Sequence, residues 1–274
     1  MHHIAPGAIF VLLRANALVS VNPVFIAYDD VGSGNPVVLV HGHPFDRSMW
    51  RPQVERFGRS HRMIVPDLRG YGESTVIPGK TTLDVFAQDI ADLLDRLGAG
   101  RVVLGGLSMG GQIVMEAYRR FPDRISGLLL ADTFPGAETP EGVKARNDMA
   151  DRLLREGMGP YADEVQWKMV APGNDSEHVM HMMKNAPPEG AAAALRGRAE
   201  RPDYTESLRE ISVPTLIVVG RLDEYTPVHE AERMHALIPG STLAVIEGAA
   251  HMPNLERPAE FNAAFERLLN TVWG

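Results

Sequence analysis

A serine set between glycines is the feature of this chain that most directly suggests chemistry. Ser108 lies in the segment 102–111, VVLGGLSMGG, and residues 112–120 continue with helical spacing of apolar side chains. A sharp strand-to-helix turn leaves little space on either side of its serine, which suits Gly106 and Gly110. The pattern predicts a nucleophile elbow at Ser108. The alternative is a glycine-rich turn in which the serine has no catalytic role.

A serine hydroxyl needs a base to become a nucleophile, and the base needs a group that orients it. His251 follows an apolar run at 242–246, and Asp223 follows the preceding apolar run at 213–220. Parallel strands end at one edge of a sheet, so we expect both side chains to meet Ser108 there. Asp132, which follows the run 125–131, is a rival for the acid, although a turn or helix-capping role is favoured for it.

The negative charge that develops on an attacked carbonyl oxygen needs preorganised donors. The backbone N–H groups of Met109, directly after the nucleophile, and of His43, in the loop after the run 37–40, are the candidates. We expect the His41 side chain to hold the backbone beneath this loop. The His43 side chain is expected to face the site, and whether it contacts substrate or only packs is left open.

Other histidines and acidic loops do not indicate a metal or phosphate site. The loop 67–72 lacks the pattern of a phosphate-binding loop and is expected to be a structural turn. His2 and His3 are isolated, and His178 and His181 lack the flanking residues of a zinc motif. We therefore predict no metal.

Composition narrows the classes of partner. The chain has 27 Lys and Arg against 35 Asp and Glu, a net charge of −8, without a basic run. Nucleic acid and anionic membrane surfaces are thus disfavoured, and a small molecule is the expected partner. The absence of cysteine excludes disulfides, thiolate metal sites and a cysteine nucleophile. A short apolar patch at 8–13 imitates a signal peptide poorly, so a cytoplasmic location is expected.

Apolar runs and helical patterns alternate along the chain, as a parallel sheet with covering helices requires. Strands are predicted at 37–40, 62–65, 102–107, 125–131, 213–220 and 242–246, with a hairpin over 17–28. Residues 1–16 form an N-terminal extension, 17–132 and 206–274 the core, and the helix-prone segment 133–205 an inserted cap. The cap is rich in methionine, whose thioether adapts to irregular apolar shapes. Expected pocket residues are Trp50, Trp167, Met169 and Met183.

The motifs LVHGHP, PDLRGYGES, GLSMGG, VGRLDEYTP and GAAHMPNLERP resemble the α/β-hydrolase superfamily over residues 17–272. Within it, SMWRPQ near Trp50, GLSMGG and the capped layout most resemble 3-oxoadipate enol-lactonase-like carboxylesterases and lactonases. The resemblance implies an α/β-hydrolase fold with an eight-stranded, mostly parallel sheet flanked by helices and an inserted helical cap. It also implies that Ser108, Asp223 and His251 form a catalytic triad and that the N–H groups of His43 and Met109 bind the oxyanion. It implies no cofactor. Superfamily members with an aspartate nucleophile are disfavoured by Ser108.

The expected activity is that of a serine hydrolase, which cleaves a carboxylic ester or lactone of a small, largely apolar molecule through an acyl-enzyme. A C–C bond hydrolase or an acyl transferase would use the same triad. A non-catalytic ligand receptor on this fold is a further alternative. A monomer and a homodimer are both left open.

Overall fold

An eight-stranded sheet forms the centre of the molecule in the computed structural model, which describes residues 14–21 and 24–274. The strands are β1 (Arg14–Val21), β2 (Val24–Val31), β3 (Pro36–Val40), β4 (Arg62–Pro66), β5 (Val102–Leu107), β6 (Ile125–Ala131), β7 (Thr215–Gly220) and β8 (Thr242–Ile246). Their order across the sheet is β1-β2-β4-β3-β5-β6-β7-β8. Only β2 runs against its neighbours on both sides, and β3 to β8 are parallel. The predicted eight-stranded, mostly parallel sheet is confirmed.

The central strands are continuously apolar because helices cover both faces of the sheet. All residues of β5 and β7 are buried. The ends of the parallel strands are in register: Leu107 of β5 pairs with Ala131 of β6, which pairs with Val218 of β7. This register brings the loops that follow these strands to one edge, where the sequence places Ser108 and Asp223.

Ten α-helices lie among the described residues, with three short 3-10 helices. The α-helices are α1 (Arg51–Phe57), α2 (Leu83–Arg96), α3 (Met109–Arg120), α4 (Pro140–Glu156), α5 (Met158–Met169), α6 (Glu177–Asn185), α7 (Pro188–Ala199), α8 (Val228–Leu237), α9 (Pro253–Glu256) and α10 (Pro258–Trp273). Helix α2 buries Leu83, Phe86 and Ile90 on one face. None of the described helices is long and apolar enough to cross a bilayer.

The hairpin predicted over 17–28 is present as the antiparallel pair β1 and β2. Strand β1 begins at Arg14, three residues before the predicted start of the core at residue 17. The signal-like patch at 8–13 and most of the predicted extension 1–16 lie outside the described residues.

Helices α4 to α7 follow one another between β6 and β7, within the segment 133–205 predicted as a cap. We use the word cap as a label for this helical insertion with its connecting loops. The two ends of this insertion meet where the N–H of Tyr204 donates to the carbonyl of Pro135, at 2.9 Å. Helix α7 is buried almost entirely and lies against the core, because two glycines allow its backbone to approach closely. A Cβ at Gly190 would stand 1.8 Å from the carbonyl oxygen of Gly70, and one at Gly197 would stand 1.7 Å from that of Thr81.

Candidate active site

Ser108 occupies a strained turn between β5 and α3. Its φ of 58° and ψ of −117° lie in a region that side chains rarely adopt. Two hydrogen bonds to the Ser108 backbone hold this conformation. The Ser108 N–H donates to the carbonyl of Ala131, and the hydroxyl of Thr133 donates to the Ser108 carbonyl, at 2.8 Å. A Cβ at Gly106 would stand 2.3 Å from the backbone of Gly110. The turn therefore has the geometry of the predicted nucleophile elbow.

His251 and Asp223 form a buried hydrogen-bonded pair at the same edge of the sheet. Nδ1 of His251 lies 2.8 Å from Oδ2 of Asp223, and the Thr226 hydroxyl donates to the same oxygen. The N–H groups of Tyr225 and Thr226 donate to Oδ1 at 2.8 and 3.2 Å. Burial alone would raise the pKa of Asp223, but the charge of His251 and these hydrogen bonds hold it below its usual range. Asp223 is thus an ionised acceptor that orients the imidazole.

Asp132 lies beside this pair and is in a different protonation state. One oxygen of each carboxyl and one imidazole nitrogen of His251 lie within 4.8 Å of one another. Oδ1 of Asp132 accepts the Gly220 N–H at 2.9 Å, whereas Oδ2 is buried without a partner among the described residues. Burial, and then the charge of Asp223, raise the pKa of Asp132 well above its usual range. These three atoms are of the types that bind cations, but the direct His251 to Asp223 bond is the arrangement of a proton-transfer pair.

The loop after β3 lies directly against the nucleophile. A Cβ at Gly42 would stand 3.2 Å from the Cβ of Ser108. His41 holds this loop: its Nε2 accepts the Leu68 N–H at 2.9 Å, and its Nδ1 lies 2.9 Å from the Gly42 carbonyl. The predicted structural role of His41 is confirmed.

The two expected oxyanion donors flank Ser108. Met109 is the first residue of α3, so its N–H has no partner within the helix. His43 lies in the loop against Ser108, and its side chain lines the cavity with Nδ1 at 2.7 Å from the Tyr71 hydroxyl. Burial, and then Arg198 and Arg146, lower the pKa of His43 well below its usual range. The ring is therefore neutral near pH 7.

Ser108 and His251 line one cavity of about 220 Å³ between the sheet edge and the cap. Asp132 also borders it. Its apolar wall consists of Phe134, Tyr161, Met169 and Leu195, and its polar wall includes Gln112, Arg146 and Arg198. The cavity can therefore hold a small molecule beside the hydroxyl of Ser108.

Three of the four pocket residues expected from the sequence do not line this cavity, and only Met169 does. Trp50 is fully buried in the apolar core, where its ring lies 6.1 Å from that of Phe261. Met183 is buried in the same apolar layer. Trp167 is 66 % exposed, because α5 buries Met158, Ala162, Val165 and Met169 on its opposite face. Composition alone could not assign these side chains to a face.

A glutamate missed at the sequence level holds the histidine loop. Oε1 of Glu256 accepts the N–H groups of Ala250 and Met252, at 2.9 and 3.1 Å, which bracket His251. Oε2 accepts the N–H of Ala171 and the side-chain amide of Asn174, both at 2.7 Å, from the cap. Glu256 thereby ties the base to the cap. Its sequence signal is slight, because one glutamate on a short helix resembles any exposed one.

Three comparisons with known proteins agree with this geometry. The model of the Alpha/beta hydrolase family matches residues 37–264. A 3-oxoadipate enol-lactonase of Acinetobacter baylyi is 30% identical over 233 residues, which cover 83% of this chain and 85% of that protein.

Two solved structures are similar in fold. A thermophilic esterase from Thermogutta terrifontis with malate bound is 41% identical, with a TM-score of 0.91 over 94% of this chain and 99% of that one. The enol-lactonase from Burkholderia xenovorans LB400 is 26% identical, with a TM-score of 0.85 over 93% of this chain and 100% of that one. With the strained serine turn, the buried His251 to Asp223 pair and the family match over most of its length, this chain belongs to the α/β-hydrolase family.

Proposed function

We propose that this protein is a serine hydrolase that cleaves a carboxylic ester or a lactone of a small molecule through an acyl-enzyme. The observation that carries the proposal is that Ser108, in its strained turn, and His251, bonded to an ionised Asp223, line one cavity. Esterases and enol-lactonases among the relatives support this reaction class.

In the proposed first step, the Ser108 hydroxyl oxygen attacks the substrate carbonyl carbon while Nε2 of His251 takes the hydroxyl proton. Asp223 accepts from Nδ1 of His251, which fixes the tautomer and stabilises the imidazolium. The N–H groups of Met109 and His43 stabilise the oxyanion. His251 then returns the proton to the leaving alkoxide as the C–O bond breaks.

In the second step, water replaces the alcohol. His251 takes a proton from the water, whose oxygen attacks the acyl carbon, and the Ser108 oxygen leaves with that proton. The carboxylic acid is released and the free enzyme returns. For a lactone, the alcohol and acid stay in one product, so ring opening is the net reaction.

Turnover of a panel of 4-nitrophenyl esters and five- and six-membered lactones tests this proposal. Wild-type protein should hydrolyse members of the panel, and Ser108→Ala should lose at least about 10³-fold in kcat. Circular dichroism checks that the variant is folded, and Ser48→Ala, at a serine outside the cavity, is the control. Equal turnover by wild type and Ser108→Ala, or none by wild type, would overturn the proposal.

A further inference from the structure

Arg198 is a buried guanidinium in the wall of the catalytic cavity. It extends from α7 and is 7% exposed, and Leu195, one turn earlier on the same helix face, also lines the cavity. Its Nε donates to Oε1 of Gln112 at 3.1 Å. No carboxylate of the described residues lies within ion-pair distance of Arg198. A buried charge without a counter-charge is costly, and arginine keeps its proton in proteins.

The charges around Arg198 do not balance it. Arg146, also in the cavity wall, and Arg201 both pair with the single carboxylate Glu138. Of the described residues that line the cavity, Asp132 alone is acidic, and burial raises its pKa well above the usual range, which favours its neutral form. The cavity is therefore electropositive, although the chain carries a net charge of −8.

Arg198 is also held in place. Gly190 and Gly197 bring the backbone of α7 against Gly70 and Thr81, and the Thr81 N–H donates to the Ala193 carbonyl at 3.0 Å. Gln112 belongs to α3, the helix that begins directly after Ser108. A side chain bonded to the helix that begins directly after the nucleophile keeps a constant position relative to that nucleophile. Such preorganisation is typical of a binding group.

We propose that Arg198 binds a carboxylate on the substrate, so that the preferred substrate is an ester or lactone with an apolar body and one free carboxylate. The two oxygens of a carboxylate match the donors of a guanidinium and supply the missing counter-charge. This inference rests on the proposed hydrolase function. It adds one charged group to the small, largely apolar substrate expected from the sequence.

The test compares each acid with its neutral amide. One pair, monomethyl glutarate and methyl glutaramate, carries the group in the acyl part; the other, acetoxyacetate and acetoxyacetamide, carries it in the alcohol part. In wild type, kcat/KM for the acid should exceed that for the amide at least about tenfold in one pair. In Arg198→Met that ratio should fall to about one, and Arg198→Lys should restore part of it.

The control is Arg196→Met, the same change two residues away on α7, where the side chain pairs with Asp151 outside the cavity. It should keep the wild-type ratio. Glutarate should raise the Tm of wild type and of Arg196→Met but not of Arg198→Met. A wild-type ratio of one or less in both pairs, or an unchanged ratio in Arg198→Met, would overturn the inference. Hydrolysis of 4-nitrophenyl acetate reports separately on the proposed function, because that ester has no carboxylate.

Discussion

Two aspartates stand next to His251, and their surroundings give them opposite protonation states. Among the described residues, Asp223 has four hydrogen bonds that stabilise its charge, whereas Asp132 has one, and its other oxygen is buried without a partner. At the sequence level both follow an apolar strand and both lie between Ser108 and His251, and Asp223 is preferred because a turn or helix-capping role is favoured for Asp132. The structure supports that choice because Nδ1 of His251 bonds to Asp223.

Matched substitutions of these two residues separate their roles. Asp223→Asn should lower kcat about 10³- to 10⁴-fold, because the amide favours the wrong tautomer of His251. Asp132→Asn should change kcat less than about tenfold. Steady-state kinetics on one 4-nitrophenyl ester measures both, and a larger loss in Asp132→Asn would assign the acid to position 132.

Asp132→Asn should also stabilise the protein. The raised pKa means that, above the ordinary aspartate range, the unfolded chain ionises more readily than the folded one, so this group opposes folding as the pH rises. An asparagine keeps the acceptor for Gly220 and removes the ionisation. We expect a gain of about 1 kcal/mol or more in the free energy of unfolding at pH 8. Urea denaturation at pH 8 and pH 4 measures it, and a gain that is no larger at pH 8 would contradict the assignment.

At the scale of elements, the short helix α9 connects the base to the cap through Glu256. Glu256→Gln replaces one acceptor oxygen by an NH₂ group, which faces N–H donors on either side. We expect kcat to fall about tenfold or more with little change in KM, because the His251 loop loses its fixed position. Kinetics below the measured Tm of the variant test this. Glu260→Gln, on the exposed face of α10, is the control, and an unchanged kcat in Glu256→Gln would refute the link.

The close packing of α7 against the core depends on glycine. Gly197→Ala would drive a methyl group into the Thr81 carbonyl, so the helix has to move away, and we expect a loss of about 3 kcal/mol or more in stability. Gly159→Ala in α5, where a Cβ meets nothing within 4 Å, should be neutral or slightly stabilising. Thermal denaturation of the pair checks this, and equal Tm values would contradict the docking described.

The elements themselves were largely predictable, and the faces they present were not. The strands from β3 to β8 are short and largely apolar, so short apolar runs in the sequence locate them. Trp167 and Arg198 show what could not be predicted from the sequence. Each lies in a helix whose sequence does not distinguish a solvent face from a cavity face, and α7 is buried on nearly every side by neighbours far along the chain. Charge at Arg198 and Arg196 looks alike in the sequence, and only tertiary packing separates them.

At the scale of the whole molecule, buried histidines make stability depend on pH. Burial lowers the pKa of His41 and, with Arg198 and Arg146, that of His43. Below about pH 6.5 the unfolded chain takes up protons that the folded protein does not, so stability falls as the pH falls. Each such histidine contributes at most about 1.4 kcal/mol per pH unit, between its unfolded-state and folded-state pKa values. Urea titrations from pH 7 to pH 5 measure the slope, which should be smaller in His43→Asn; an equal slope would contradict the buried neutral state.

The fold as a whole brings together the three side chains on which the proposed chemistry depends. Ser108, Asp223 and His251 follow β5, β7 and β8, and the parallel register delivers all three to one edge. The order of the motifs predicted this meeting. The charge of the cavity was not predictable, because it comes from cap residues that no motif marks.

Intact-mass analysis after treatment with a fluorophosphonate tests the central claim, that Ser108 is an activated nucleophile. The account predicts one adduct per chain, carried by the peptide that contains Ser108, absent from Ser108→Ala and formed far more slowly in His251→Ala. An adduct on another residue, or equal labelling of wild type and Ser108→Ala, would contradict it.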